Sequence, residues 1–109
     1  MAKYLIQAGY SAEGLKGVIK DGGTGRRTAI EAAMKSLGGR VEAIYYAFGK
    51  SDVYVIVDLP GHVEMAAFAL AAGSPGTLTH LKTTVLMTPE EIDQAAKKAS
   101  GASYRAPGH

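Results

Sequence analysis

The chain has 109 residues, 47% of them apolar, a formal net charge of +2 and no cysteine. That is the length of one domain, with enough apolar residues for a core and too many for a disordered chain. Twelve basic against ten acidic residues fall short of the dense basic stripe that nucleic-acid binding needs, and the missing cysteine excludes disulfides, thiolate metal sites and a cysteine nucleophile.

No run approaches the roughly 20 apolar residues of a membrane-spanning helix. The segment from Met1 to Gln7 lacks the apolar stretch and cleavage site of a secretory signal, so a cytoplasmic location is expected. In chain order, Lys3 to Tyr10 is rich in β-formers and reads as a strand. Ser11 offers a helix cap. Leu15, Val18 and Ile19 follow with helical spacing, but Gly14 and Gly17 predict a short or irregular piece. Asp21 to Gly25 reads as a loop, because three glycines in four positions favour unusual backbone angles.

Ile30, Ala33, Met34 and Leu37 then mark one stripe of an amphipathic helix, ended by Gly38 and Gly39. Val41 to Phe48 and Val53 to Asp58 are expected to form a hairpin around Gly49-Lys50-Ser51-Asp52. After Pro60-Gly61, Val63, Ala66, Ala67 and Leu70 predict a second, alanine-rich helix that stops at Gly73 to Gly76. Thr77 to Met87 reads as a fourth strand. Thr88-Pro89-Glu90-Glu91 carries a capping box and a proline at the first helical position, starting a last helix to about Lys98. Residues 1–99 are read as one domain, and 100–109 as a flexible tail poor in anything to bury. The order β-α-β-β-α-β plus a terminal helix is the ferredoxin-like α+β arrangement, with both main helices on one face of a four-stranded antiparallel sheet.

Alternation along strands sorts side chains by face. One expected set, under the helices, holds Tyr4, Ile6, Ala8, Val41, Ala43, Tyr45, Ala47, Val53, Val55, Val57, Leu81, Thr83 and Val85. The other holds Leu5, Gln7, Glu42, Ile44, Tyr46, Phe48, Tyr54, Ile56, His80, Lys82, Thr84 and Leu86. Leu5, Ile44, Phe48, Ile56 and Leu86 on that second face are too apolar for a bare sheet, and such a patch marks an interface. A homodimer or higher homo-oligomer is therefore expected. Gln7, Glu42, Tyr46, Tyr54, His80 and Lys82 become candidate contacts for a small molecule held against that face. The alternative is that they pair with one another across the interface or lie at its wet rim.

These stretches also resemble a known family. Lys3 to Gln7, Gly25-Arg26-Arg27, Leu37-Gly38-Gly39, Tyr45 to Gly49, Val53 to Pro60 and Lys82 to Leu86 are similar, collinearly, to the GYD-domain family of small bacterial proteins. The resemblance implies a ferredoxin-like fold of the dimeric α+β barrel type and brings no agreed catalytic residues. Of the family's Gly-Tyr-Asp signature this hairpin keeps Gly49 and Asp52, with Ser51 where the tyrosine is expected. Glycine supplies permissive angles, and aspartate is expected to bond the turn's own backbone.

The remaining chemistry is sparse. The glycine-rich stretch before Arg26 and Arg27 is a weak candidate for an anion, since a helix N-terminus attracts one. It lacks the Lys-Ser/Thr ending of a P-loop and does not follow a strand; solvated arginines are the plainer reading. His62, His80 and His109 are scattered, so no metal site is expected. No helix is expected to turn a histidine toward the sheet, which argues against a haem, and no cofactor is expected. No serine lies in a Gly-x-Ser-x-Gly elbow. Three functions remain open: an oligomeric domain that binds a small molecule or a protein at or near the sheet face; a small cofactor-independent enzyme acting on a hydrophobic or aromatic compound; and a self-assembling structural subunit.

Overall fold

The computed structural model describes all 109 residues. Seven elements follow in the expected order: β1 (Ala2–Tyr10), α1 (Ala12–Ser36), β2 (Arg40–Tyr46), β3 (Val53–Leu59), α2 (His62–Gly73), β4 (Leu78–Leu86) and α3 (Pro89–Ser100). The strands form one antiparallel sheet in the order β2-β3-β1-β4. This is the ferredoxin-like fold. The core lies between the sheet and α1 and α2, with Tyr4, Ile6 and Ala8 of β1 beside Val53, Val55 and Val57 of β3. Ile30 and Met34 of α1 and Met65 of α2 close it from above. Alternation in β1 and β3 supplies these inward residues, as the pleat requires.

The first helix departs from expectation. Asp21 to Gly25 is not a loop, because α1 runs from Ala12 to Ser36 with a single non-helical residue, Gly22 (φ 73°, ψ 167°). That left-handed backbone suits glycine, while Gly23 and Gly25 stay helical. The result is one kinked helix, started by Ser11, whose hydroxyl accepts from the Gly14 N–H (3.2 Å) and donates to the Gly76 carbonyl (2.9 Å). Gly14 lets this end sit tight, since a Cβ there would overlap the Thr77 carbonyl oxygen.

The second departure is in β2. Its register shifts between Val41 and Ala43, so Val41 opposes Val57, Ala43 opposes Ile56, Ile44 opposes Val55 and Tyr46 opposes Val53. The bulge absorbs one residue and turns the rest of the strand over. Ile44 and Tyr46 therefore face the helices, and Ala43 and Tyr45 join the open face, the reverse of the alternation read from the sequence. Phe48 lies beyond the strand and is fully exposed. The open face thus keeps Leu5, Tyr54, Ile56 and Leu86, all half-buried, with no helix over them.

α3 is capped as the sequence predicts, with Thr88 and Glu91 forming the reciprocal capping box. It buries no residue, and 101–109 form neither strand nor helix. The chain is long for its size, with a radius of gyration of 17.3 Å and extents of 58 × 31 × 23 Å. No helix is long and apolar enough to cross a membrane.

Candidate functional site

The six polar residues expected to share the open face do not all meet. Gln7 opposes Tyr54 on β3 and Lys82 on β4, so these three form one row across the sheet. Tyr54 and Lys82 are two strand spacings apart, about 10 Å between backbones. His80 opposes Gly9, near the same end. Its ring lies over that glycine, where a Cβ would clash with Cε1.

Glu42 sits elsewhere. It bonds the Lys3 ammonium, which also bonds the buried Asp58 carboxylate at 2.9 Å, while Arg40 Nε reaches Asp58 from the other side at 3.1 Å. Glu42 and then Asp58 raise the Lys3 pKa above its usual value. This is a structural ion network, four residues along β1 from Gln7. Tyr46, turned over by the bulge, is on the opposite face altogether.

The signature hairpin acts across strands. Asp52 does not bond its own turn through the side chain; its Oδ2 accepts from the Tyr10 N–H at 2.8 Å, beside the irregularity between Gly9 and Tyr10. Its backbone N–H donates to Ala8 O, and its carbonyl accepts from Ala47 N, both at 2.9 Å. Gly49 adopts φ 120°, which glycine tolerates. Ser51 is only 4% exposed, and its hydroxyl meets His80 Nε2 at 3.1 Å. A serine–histidine contact invites a nucleophilic reading. The other ring nitrogen, however, meets Thr79 Oγ1 at 3.2 Å and no carboxylate. Ser51 also lines neither of the two cavities described next. The pair satisfies a buried hydroxyl.

The concave site lies on the helix side. A cavity of about 330 Å³ opens between the sheet and the two main helices. Its floor is Ile6, Ala8, Val53 and Val55; Ile30 and Phe68 stand on either side, and Ala71 and Ala72 of α2 form part of the roof. Tyr10, Arg26 and Thr77 are its polar members, and all three also line a smaller adjoining cleft of about 100 Å³ with Glu13 and Asp21. The polar groups therefore collect at one end of an apolar chamber. Arg26 is held by Asp21 only at 3.5 Å, across the Gly22 kink. Tyr46 leans on the same stretch, with its ring carbon 3.6 Å from where a Gly23 Cβ would stand. Burial and the neighbouring Tyr10 hydroxyl push its phenol up to about 12, against a smaller opposing pull from Arg26. It stays a neutral hydrogen-bond donor and is no base at neutral pH. Arg27 is exposed and outside both cavities.

Sequence reasoning missed this chamber. Its signal was small residues facing one another, Ala8 on the sheet against Ala71 and Ala72 on α2. The helix-borne histidine was also missed: His62 opens α2, and its Nδ1 meets the hydroxyl of the buried Tyr4 at 2.6 Å. No three of the histidines, aspartates and glutamates gather as a metal ion would require.

Fold and site together define a ferredoxin-like α+β domain with an apolar chamber under its helices and an arginine and a tyrosine at the rim. The chain belongs to the GYD domain family, whose pattern matches residues 4–96. No curated protein and no solved structure matches it.

Proposed function

We propose that this is a self-pairing domain that holds a small, largely apolar molecule with an acidic group in the chamber between its helices and its sheet. The chamber carries the reading. About 330 Å³ lies at the lower end of the range for small-molecule sites, which are mostly apolar with a few polar groups that fix orientation. Here those groups sit at one end. A guanidinium presents a planar fork that suits carboxylate or sulfonate, and the Tyr10 phenol and Thr77 hydroxyl add donors. The acid would meet Arg26 and the apolar body would lie over Ala8. Gln7, Tyr54, His80 and Lys82 belong to the open face, and in this reading they are contacts between copies.

Self-pairing rests on that open face. Leu5, Tyr54, Ile56 and Leu86 make a continuous apolar area that no element of the chain covers, and laying two such sheets together removes it from water.

Two naphthalene probes of similar size test the ligand reading. One is 1-anilinonaphthalene-8-sulfonate, an anion; the other is N-phenyl-1-naphthylamine, which is neutral. Both are expected to bind with fluorescence enhancement. Arg26→Gln is expected to weaken the sulfonate by about tenfold or more, the worth of a charged hydrogen bond, and to leave the neutral probe unchanged. Ala72→Phe, which fills the chamber, is expected to weaken both. Equal binding of the sulfonate by the parent and both variants would overturn the site, and circular dichroism shows whether Ala72→Phe has folded.

A further inference from the structure

The end of the chamber that carries Arg26 is more acidic than basic. Tyr10, Arg26 and Thr77 line both the chamber and the smaller cleft, so the two spaces meet at these side chains. The rest of the cleft is lined by Glu13 and Asp21, and by Gly14 and Gly17, which leave part of its wall without side chains. A Cβ at Gly17 would meet nothing within 4 Å, so the space beside it is open. Two carboxylates and one guanidinium thus share a cleft of about 100 Å³. No lysine lines either space.

Contacts within the chain leave these charges only loosely engaged. Asp21 meets Arg26 at 3.5 Å, the longest of the chain's four ion pairs, and Glu13 makes no ion pair at all. A plain acid seated on Arg26 would lie beside the Asp21 carboxylate, and like charges that close repel. A ligand with an ammonium next to its carboxylate turns that repulsion into attraction. Its carboxylate takes the guanidinium fork, and its ammonium brings three donors to the two acidic side chains. In an α-amino acid both groups leave the same carbon, which suits a cation and an anion only 3.5 Å apart.

The chamber then selects the side chain. Its floor of Ile6, Ala8, Val53 and Val55 presents no polar side chain, and Phe68 stands to one side. A large apolar group fills such a space, and an aromatic ring gains further by packing against Phe68. A charged or amide side chain would be desolvated there without partners.

We propose that chamber and cleft together bind a free α-amino acid with a large apolar side chain, such as phenylalanine. The carboxylate lies on Arg26, the ammonium lies between Asp21 and Glu13, and the side chain fills the chamber. The inference rests on the chamber reading above and adds the class of acid that the chamber takes.

Three ligands with one skeleton test it. Calorimetric titration of the full chain compares L-phenylalanine with 3-phenylpropanoate, which lacks the amine, and with 2-phenylethylamine, which lacks the carboxylate. The parent is expected to bind phenylalanine at least about fivefold more tightly than either, the worth of a part-exposed ion pair. The double variant Glu13→Gln/Asp21→Asn is expected to reverse the order of phenylalanine and 3-phenylpropanoate, because its cleft keeps only the guanidinium. Both positions are exposed, so the fold is kept, which circular dichroism checks.

A parent that binds 3-phenylpropanoate as tightly as phenylalanine overturns the amino-acid assignment and leaves the acid-binding chamber standing. A double variant that keeps the parent's preference does the same. 2-Phenylethylamine binding more tightly than phenylalanine would take the carboxylate off Arg26 and sink both readings. No heat with any of the three at millimolar concentration overturns the assignment as well, and if the naphthalene sulfonate also fails to bind, the chamber reading falls with it.

Discussion

Single side chains in this protein do their work across elements. Asp52, which the sequence offered as the staple of its own turn, anchors Tyr10 on β1 instead, and Tyr10 is a rim residue of the chamber. The family's turn is thereby tied to the site without touching it. Tyr46 shows a second coupling. Its phenol is held near 12 by burial and by Tyr10, so the folded chain keeps a proton that an unfolded tyrosine, near 10, has lost. The folded state then binds more protons than the unfolded one between those two values, and stability falls as pH rises through that window while the contribution is whole below it. The side chain is 41% exposed, so solvent screening keeps the effect modest. Absorbance titration of the phenolates is expected to show a late component near pH 12 that Tyr46→Phe removes, beside the buried Tyr4, whose phenol burial also pushes up. A parent whose tyrosines have all titrated by pH 11 would refute the placement of Tyr46 beside Tyr10.

At the scale of elements, what was legible in the sequence and what was not divide along physical lines. Strands β1 and β3 alternate cleanly, and helix α3 announces itself through Thr88, Pro89 and Glu91, because these signals are local and each residue carries its own preference. The bulge in β2 was invisible. Val41 to Tyr46 is a run of β-formers around Glu42, and nothing in the run states which residue the ladder will skip; only the pairing with β3 decides, and that single slip moved Tyr46 from the open face to the helix side, beside Gly23. The glycines of α1 misled for the opposite reason. Their propensity is poor, by about 1 kcal/mol each, yet packing of Ile30 and Met34 overrides it. What the glycines do individually differs and is open to test. At Gly14 a new Cβ would strike the Thr77 carbonyl, a backbone atom that cannot step aside; at Gly17 it would meet nothing within 4 Å. Gly14→Ala is expected to lower stability by about 1–3 kcal/mol, as overpacking does. Gly17→Ala is expected to raise it by about 0.5–1 kcal/mol through helix propensity. Urea midpoints for the two variants measure this, and a destabilising Gly17→Ala would mean that the first half of α1 packs against something not present in a single chain.

For the molecule as a whole, the chamber and the open sheet face lie on opposite sides of one sheet, and that separation has a thermodynamic consequence. Only fourteen residues of the chain are buried, so the core is thin and the folded state leans on whatever binds it. A partner copy binds only the folded chain, which makes the unfolding temperature depend on protein concentration. Each tenfold increase adds about 1.4 kcal/mol per dimer, a rise of a few degrees for a domain of this size. A ligand in the chamber adds its own stabilisation, about 2.7 kcal/mol at one hundred times its dissociation constant, whether or not the chains are paired. Because the two sites share no side chain, with Ile6, Ala8, Val53 and Val55 pointing one way and Leu5, Gln7, Tyr54 and Ile56 the other, their effects are expected to add. Melting curves across a hundredfold range of concentration, with and without the naphthalene sulfonate, are therefore expected to give two parallel lines of unfolding temperature against the logarithm of concentration. A flat line without ligand would rule out pairing as a source of stability. Lines that converge when ligand is present would show that the chamber and the interface compete, and the assignment of the two faces to separate tasks would fail.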